Sequence, residues 1–201
     1  MDAKYLKAEG LCKTYGKVKA LDQVDLTLEP GHIYGLIGRN GAGKTTLLAA
    51  LTAQLPVDQG RVTYGGEPVW ENDKVLADLC FSRELSGKLG TSVNSLRVRD
   101  YLKAGQLFYP HWDDAYAHRL TAQFGLQEKK RISALSKGMM SAVTIVLALA
   151  SRAPITMMDE PVAGLDIVAR EDFYRLLLED YTAPGRTFVI SPHILEEAAT
   201  V

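Results

Sequence analysis

The chain has 201 residues, and its length, composition and charge are those of a single folded body. Apolar residues make up 47% and charged residues 23%, which excludes a disordered or collagen-like chain. Lysine and arginine number 23 against 24 acidic residues, so no net field attracts nucleic acid or an anionic membrane. The two cysteines, Cys12 and Cys80, lie far apart without metal-ligand spacing, which fits a reducing compartment.

The sequence predicts neither secretion nor a membrane span. Its N-terminal residues contain no apolar core and no small-residue cleavage site. The longest apolar stretch, Ala142–Ala150, is far shorter than the ~20 residues that cross a bilayer. Attachment to an integral membrane partner remains open.

In the first part of the chain the residue pattern predicts mainly strands. Apolar and polar residues roughly alternate over Leu6–Leu28, as in two half-buried antiparallel strands with a break at Gly16. The apolar run Ile33–Ile37 is typical of a strand covered on both faces in a parallel sheet. A glycine-rich loop and a helix over Thr45–Leu55 follow, and Gly60–Trp70 predicts a β-hairpin.

The residue pattern in the middle of the chain predicts helices. Strand signals disappear over Leu96–Ala150, where three or more helical stretches are broken at Tyr109-Pro110 and at Gly125. Two β-rich runs come afterwards, separated by a helix: Ile155–Met158, Thr187–Ile190, and the helical Ile167–Leu178 between them.

A strand, helix, strand succession with such a long crossover implies parallel pairing and a right-handed connection. We therefore predict an α/β fold with a mainly parallel sheet, an N-terminal antiparallel β subdomain and an inserted all-helical subdomain. Residues 1–81 and 150–201 would form the core with its antiparallel β subdomain, and residues 82–149 the helical subdomain.

A phosphate-binding loop is the strongest signal. The octapeptide GRNGAGKT matches G-x-x-x-x-G-K-[ST] at every fixed position, with a strand before it and a helix after it. Backbone N–H groups and the positive helix end therefore converge on one phosphate site of a P-loop NTPase core. Lys44 would bridge the β- and γ-phosphates, and the Thr45 hydroxyl would bind Mg²⁺. The predicted nucleotide-binding residues here are Gly38, Asn40, Gly41, Ala42, Gly43, Lys44, Thr45 and Thr46.

Two adjacent acids, Asp159 and Glu160, end the strand that begins at Ile155. Neighbouring strand residues face opposite ways, so both carboxylates address one site only if the chain turns between them, and Pro161 favours such a turn. Asp159 would hold Mg²⁺ and Glu160 would polarise the attacking water. A solvated turn is the simpler interpretation, and the nearby phosphate loop favours the functional one.

At this point the chain resembles the ATP-binding cassette (ABC) ATPases over nearly its whole length. The similar segments occur in the family's order: Tyr15 as the aromatic that stacks on adenine, Leu135–Met139 (LSKGM) in place of the LSGGQ-type signature, Ala163–Asp166 as the D-loop, and Ser191–His193 as the switch-histidine segment.

The resemblance implies ATP and Mg²⁺ as ligands and hydrolysis in a head-to-tail homodimer or heterodimer. Ser136 and the Gly138 amide would contact the γ-phosphate bound by the opposite chain. Asp166 would approach the partner's nucleotide, and His193 would hydrogen-bond the γ-phosphate and the attacking water. Simpler alternatives stay open: Ser136 and Asp166 as helix N-caps, and Tyr5 or Tyr34 in place of Tyr15.

The same resemblance implies a transporter subunit with an integral membrane partner, peripheral at the cytoplasmic face of the cell membrane and without nucleic acid. Two alternatives remain, a soluble ABC-type ATPase of DNA repair or translation and a non-hydrolysing nucleotide-binding module. A third, an unrelated P-loop kinase, would not require the Ser136, Asp166 and His193 series. The chain stops soon after His193, which suggests a C-terminal truncation relative to that family.

Several positions depart from the family's pattern. Lys137 and Met139 replace a glycine and a glutamine of the signature, and Cys80–Glu84 (CFSRE) has Arg83 where the joining glutamine is expected. The two segments are together similar to a bacterial subgroup related to acetoin-utilisation exporters and often linked to GntR-type regulators.

Two clusters suggest chemistry that we do not assign. His111, Asp113, Asp114 and His118 have the spacing of metal ligands, but helix capping is sufficient to explain Asp113. The basic run Lys129–Arg131 is typical of a solvated face.

Overall fold

Two four-stranded sheets form the framework of the chain. The structure is a computed structural model that describes residues 4–85, 91–182 and 185–192. The antiparallel sheet contains, in spatial order, β2 (Val18–Leu28), β1 (Leu6–Tyr15), β4 (Gln59–Tyr64) and β5 (Glu67–Pro68). The parallel sheet contains β3 (Ile33–Gly35), β8 (Thr187–Ser191), β7 (Ile155–Asp159) and β6 (Leu79–Ser82). The predicted fold class is confirmed.

Both predicted hairpins are present in the antiparallel sheet. Strands β1 and β2 turn at Gly16, whose φ is +59°, and pair from Leu6 opposite Leu28 to Tyr15 opposite Val18. Strands β4 and β5 turn at the glycine pair 65–66, where both residues have positive φ. Glycine adopts this conformation without the Cβ clash that other residues suffer, so it can close these turns.

The parallel sheet separates two apolar clusters. Every residue of β7 and β8 is buried, as expected for strands covered on both faces. Met157 and Val189 face the cluster shared with α1 (Lys44–Leu51) and the antiparallel sheet. Met158 and Ile190 face the cluster shared with α6 (Lys137–Ala150). Because strand side chains alternate, one short strand anchors both layers.

Helices dominate the middle of the chain, as predicted. The remaining helices are α2 (Asp73–Leu76), α3 (Thr91–Ser95), α4 (Val98–Phe108), α5 (Asp114–Gln123) and α7 (Ile167–Tyr181), with a 3₁₀ turn at Ile132–Ala134. The expected breaks after α4 and α5 are confirmed, and Gly125 there has a φ of +60°. Within the described ranges, none of the helices has the length and apolarity needed to cross a bilayer. The division at residues 82 and 149 stays a prediction.

Several element bounds differ from the predictions, three of them by more than one residue. Strand β3 ends at Gly35, although the Leu36 amide still donates to the Ile190 carbonyl at 2.7 Å before the chain enters the glycine loop. Helix α1 ends at Leu51, because Ala53 has a φ of +52° that a helix cannot accommodate. Helix α7 continues beyond Leu178 to Tyr181.

Strand β6 was missed by the sequence prediction. It has four residues, all buried, and pairs in parallel with β7 from Leu79 opposite Ile155. A strand this short, covered on both faces, shows no alternation of apolar and polar residues. Its presence places Arg83 and Glu84 directly after the carboxyl end of a sheet strand.

A buried ionic cluster joins helix α5 to the core. Asp180 in α7 accepts hydrogen bonds from Arg186 at 2.5 Å, from Arg152 at 2.8 Å and from the Tyr116 hydroxyl at 3.1 Å. Burial lowers the pKa of Arg186, and the adjacent Asp180 carboxylate opposes that effect. Asp180 therefore compensates a guanidinium that lies just before β8.

We predict that Asp180→Ala lowers the free energy of unfolding by about 3 kcal/mol, because it leaves the buried Arg186 charge without its carboxylate. Urea denaturation measures this change. Asp172→Ala is the matched control, since Asp172 lies on the same helix and its partner Arg175 is exposed. That variant should lose about 0.5 kcal/mol or less. Equal losses in the two variants would contradict the assignment.

Candidate functional site

The glycine-rich loop lies between β3 and α1, at the carboxyl edge of the parallel sheet. Gly41 and Gly43 have φ values of +79° and +86°. A Cβ on Gly43 would overlap the carbonyl oxygen of Ala20, so the loop can approach strand β2 only with glycine there. Helix α1 begins at Lys44, and its first amides therefore open toward the loop.

The Lys44 side chain folds back over this loop. Its ammonium donates hydrogen bonds to the Gly38 carbonyl at 2.6 Å and to the Arg39 carbonyl at 3.3 Å. The cation is therefore held above the same backbone turn from which the helix amides project. A positive charge and a set of amide donors around one turn form a site for an anion such as phosphate.

The two residues predicted to bind metal are in direct contact. The Thr45 hydroxyl donates to Asp159 Oδ2 at 2.5 Å. Asp159 is 9% exposed, and its Oδ1 and the neighbouring Ser191 Oγ are buried with no hydrogen-bond partner among the described residues. Buried polar atoms ordinarily have partners. Hydroxyl and carboxylate oxygens are ligands that Mg²⁺ prefers, so these residues fit the ion.

The chain turns at Glu160, as the prediction for the two acids requires. Glu160 has a φ of +49°, which is uncommon for a residue with a side chain. Its amide donates to the Ser191 carbonyl at 2.9 Å, and its carbonyl accepts from the Ala163 amide at 3.1 Å. Asp159 consequently contacts Thr45 while Glu160 lines the cleft in front of the loop.

That cleft has a volume of about 340 Å³ and brings most of the predicted residues together. Tyr15, 52% exposed, forms one side of it. Tyr5 lies at a different pocket, and the Tyr34 hydroxyl accepts a hydrogen bond from the Glu29 amide. Of the three tyrosines considered, only Tyr15 borders this cleft. The complete lining is Tyr15, Val18, Ala20, Asn40, Gly41, Ala42, Gly43, Lys44, Thr45, Thr46 and Glu160.

Val18 and Ala20 are part of the lining that the sequence prediction missed. Both lie on β2 at alternate positions, and Val18 pairs directly with Tyr15 across the hairpin. The period-2 rule for strands could have identified them once Tyr15 was chosen. Val18 is 64% exposed and provides an apolar surface beside the tyrosine ring.

Ser136, Gly138 and Asp166 do not line the cleft of their own chain. Ser136 caps α6 by accepting a hydrogen bond from the Met139 amide at 3.2 Å, and Asp166 caps α7 by accepting from the Ala169 amide at 2.8 Å. Both capping interpretations are confirmed. Their predicted contacts with a partner's nucleotide remain predictions.

The signature-like segment and the D-loop-like segment are packed against each other. A Cβ on Gly138 would overlap the Gly164 carbonyl oxygen, and the Ser141 hydroxyl donates to the Ala163 carbonyl at 2.6 Å. Since Ala163 also bonds to Glu160, a short chain of contacts runs from α6 to the acidic turn. Ser141 was not selected from sequence because a small polar residue in an apolar helix gives no distinctive signal.

The structure shows the surroundings of two residues that depart from the family pattern, Lys137 and Arg83. Lys137 forms an ion pair of 3.2 Å with Glu84, which connects the start of α6 to the segment after β6. Arg83 is exposed. His193 lies outside the described residues, which in this region end at Pro192.

The histidine and aspartate cluster of the helical region has structural partners. Asp113 caps α5 by accepting from the Tyr116 amide at 2.9 Å, which confirms its capping role. His118 lies 3.6 Å from Asp114 and 3.3 Å from Glu128. In the described part of the chain, no three histidine, cysteine or acidic side chains gather where they could hold a metal.

A parallel sheet with a strand, glycine loop and helix, and with an acidic strand end against the loop, defines a P-loop NTPase. The family model "ABC transporter" matches residues 21–163, and the chain belongs to this family.

Curated relatives support the same membership. The chain is 29% identical over 187 residues to the ABC transporter ATP-binding protein YtrB of Bacillus subtilis, covering 93% of this chain and 63% of YtrB. It is 34% identical over 185 residues to the putative ABC transporter ATP-binding protein AlbC of the same organism, covering 88% of this chain and 75% of AlbC. The chain thus spans less than two thirds of the length of YtrB.

Solved structures share the fold. An ATP-binding subunit of an ABC transporter superposes with a TM-score of 0.80 at 24% identity, covering 96% of this chain and 81% of that one. A putative ABC transporter ATP-binding protein from Pyrococcus furiosus superposes with a TM-score of 0.72 at 27% identity, covering 95% of this chain and 92% of that one.

We predict that Lys44→Met weakens the binding of inorganic tripolyphosphate by about 10- to 100-fold, because charge-assisted hydrogen bonds to phosphate are lost. Isothermal titration calorimetry measures this affinity. Lys74→Met is the control, since Lys74 lies on the exposed surface of α2, outside the cleft. Comparable affinities in the two variants would show that Lys44 does not bind phosphate.

Proposed function

We propose that this chain is the ATP-binding and ATP-hydrolysing subunit of an ABC membrane transporter. The observation that carries the proposal is the shared cleft, which is lined by the glycine loop, Lys44, Glu160 and the exposed Tyr15, and in which Thr45 contacts Asp159. The triphosphate would contact the loop and Lys44, the adenine would contact Tyr15, and the attacking water would contact Glu160. The transporter assignment is further supported by the names of relatives such as YtrB and the phosphonates import ATP-binding protein PhnC of Alcaligenes faecalis, to which the chain is 32% identical.

In this proposal the residues divide the work of hydrolysis. Loop amides and Lys44 bind the phosphates, with Gly38, Asn40, Gly41, Ala42, Gly43 and Thr46 shaping the turn. Tyr15 stacks on adenine, an interaction worth about 1 to 3 kcal/mol by analogy with stacked bases. Glu160 orients a water molecule and accepts its proton as the water oxygen attacks the γ-phosphorus. The leaving group is ADP.

Thr45 and Asp159 are the residues that would hold Mg²⁺. When bound, this ion neutralises charge on the phosphate oxygens. The partnerless Asp159 Oδ1 is the observation in support, because a buried carboxylate oxygen without a hydrogen bond carries a desolvation cost.

We further propose that two copies, or this chain and a similar one, close head to tail around ATP. Ser136, Gly138 and Asp166 are absent from the cleft of their own chain, so a second chain would have to present them. His193 is proposed to hydrogen-bond the γ-phosphate from beyond the described residues. ATP would bind both chains more tightly in the closed state, and hydrolysis would release them.

The remaining assignments follow from the transporter role. The partner would be an integral membrane subunit, contacted near Arg83 and the helical subdomain of residues 82–149, and the chain would lie at the cytoplasmic face of the cell membrane. The narrower relationship to exporters of the acetoin-utilisation type, supported by Cys80–Glu84 and Leu135–Met139, belongs to the same proposal. Identification of the polypeptide that co-purifies with the chain tests it, and a translation or repair factor in that position would contradict it.

Glu160→Gln tests the catalytic assignment. The amide keeps the size of the side chain but cannot accept a proton, so phosphate release should fall by about 10² to 10⁴ while ATP still binds. The variant should also accumulate as an ATP-bound dimer in size-exclusion chromatography with light scattering.

Glu171→Gln is the control, because Glu171 is exposed on α7 and does not line the cleft. It should hydrolyse ATP at the unsubstituted rate. Undiminished hydrolysis by Glu160→Gln would remove the general-base role. Binding without turnover in the unsubstituted chain, with its membrane partner present, would favour the non-hydrolysing alternative.

A further inference from the structure

Tyr15 pairs with Val18 across the hairpin, but the pairing of β1 with β2 just before it is irregular. The pairing of β1 with β2 shifts register between Leu11 and Lys13 and again between Lys13 and Thr14. Tyr15 is the last residue of β1 and is 52% exposed. Register shifts interrupt the regular ladder of hydrogen bonds, so contacts from outside the hairpin contribute more to the position of this part of the strand.

A carboxylate from another segment supplies those contacts. Asp58 Oδ2 accepts from the Thr14 amide at 2.7 Å, and Oδ1 accepts from the Lys13 ammonium at 3.0 Å. The Asp58 amide also donates to the Cys12 carbonyl at 2.8 Å. The hydrogen bonds from Lys13 and Thr14 lower the pKa of Asp58, which keeps the carboxylate ionised. Asp58 therefore forms hydrogen bonds with each of the three residues immediately before Tyr15.

Lys13, which is paired with Asp58, also lies close to the Tyr15 ring. Its ammonium donates to the Pro56 carbonyl at 2.7 Å and lies 5.8 Å from the centre of the Tyr15 ring. A cation at this distance from a ring interacts with its π face. Only 15% of the Lys13 side chain is exposed, so the ion pair is better sheltered than a typical surface pair.

The segment that carries Asp58 comes directly from the phosphate loop helix. Helix α1 ends at Leu51, and Pro56 and Asp58 follow before β4 begins at Gln59. The contacts of Asp58 thus connect the end of β1, where Tyr15 lies, to the segment that follows helix α1. Neither Lys13 nor Asp58 lines the cleft, so neither touches the nucleotide in the proposed site.

We propose that Lys13 and Asp58 are positioning residues that set the place of the Tyr15 ring and so determine affinity for the nucleobase, but not for the phosphates. This inference rests on the proposed ATP-binding function. The loop amides and Lys44 are held by their own contacts within Gly38–Thr45 and against Ala20, which do not involve Asp58. Loss of the Lys13–Asp58 ion pair should consequently weaken the binding of the nucleobase and leave the binding of the phosphates unchanged.

The test compares two ligands that differ in the base. Isothermal titration calorimetry without divalent cations gives the dissociation constants for ATP and for inorganic tripolyphosphate. Asp58→Ala and, independently, Lys13→Met should raise the constant for ATP about tenfold and change that for tripolyphosphate by less than about twofold. In the Tyr15→Ala background, adding Asp58→Ala should produce no further loss, because both substitutions remove the same interaction.

Glu9→Ala is the control, since Glu9 also lies on β1 and forms an ion pair, a more exposed one, with Arg61 of the neighbouring strand β4. It should bind both ligands like the unsubstituted chain. Equal weakening of tripolyphosphate and ATP in Asp58→Ala, or unchanged ATP binding in both variants, would overturn the inference. An unsubstituted chain that binds neither ligand would refute the proposed function, and the inference with it.

Discussion

The hydrogen bond between Thr45 and Asp159 is the contact on which the arrangement of the site depends. It joins the first turn of α1 to the last residue of β7, so the phosphate loop and the acidic strand end share one edge of the sheet. The turn at Glu160 can then direct a second carboxylate into the cleft in front of the loop. The contact adds a direct side-chain link to the one that the parallel sheet already provides between the loop and the acids.

The sequence allowed the layers and much of the site to be predicted, for identifiable reasons. The glycine loop has fixed residue spacing, and buried strands such as β7 have a distinctive apolar composition. Strand β6 was missed because four residues covered on both faces show no period. Ser141 was missed because its partner, the Ala163 carbonyl, is distant in sequence. Val18 lies only three residues from Tyr15, and the strand period predicts its place in the cleft once Tyr15 is chosen. The membership of the ABC transporter family agrees with the motif order.

The segments that resemble the signature and the D-loop have a structural role within their own chain and a position that suits contact with a second chain. Ser136 and Asp166 cap helices, and Gly138 packs against Gly164, so each residue has a structural use within its own chain. All three lie away from their own cleft, which is consistent with a nucleotide site completed by a second chain. Lys137, paired with Glu84, adds a charge at the start of α6 where the family has a glycine.

The central claim is that the loop at residues 38–46 holds the triphosphate of ATP while Ser136 of a second copy covers it. A crystal structure with magnesium and a non-hydrolysable ATP analogue tests this most directly. The account predicts phosphates within hydrogen-bond distance of Lys44 and the loop amides, and a second chain facing them. Well-folded protein with an empty cleft, or nucleotide bound elsewhere, would contradict it.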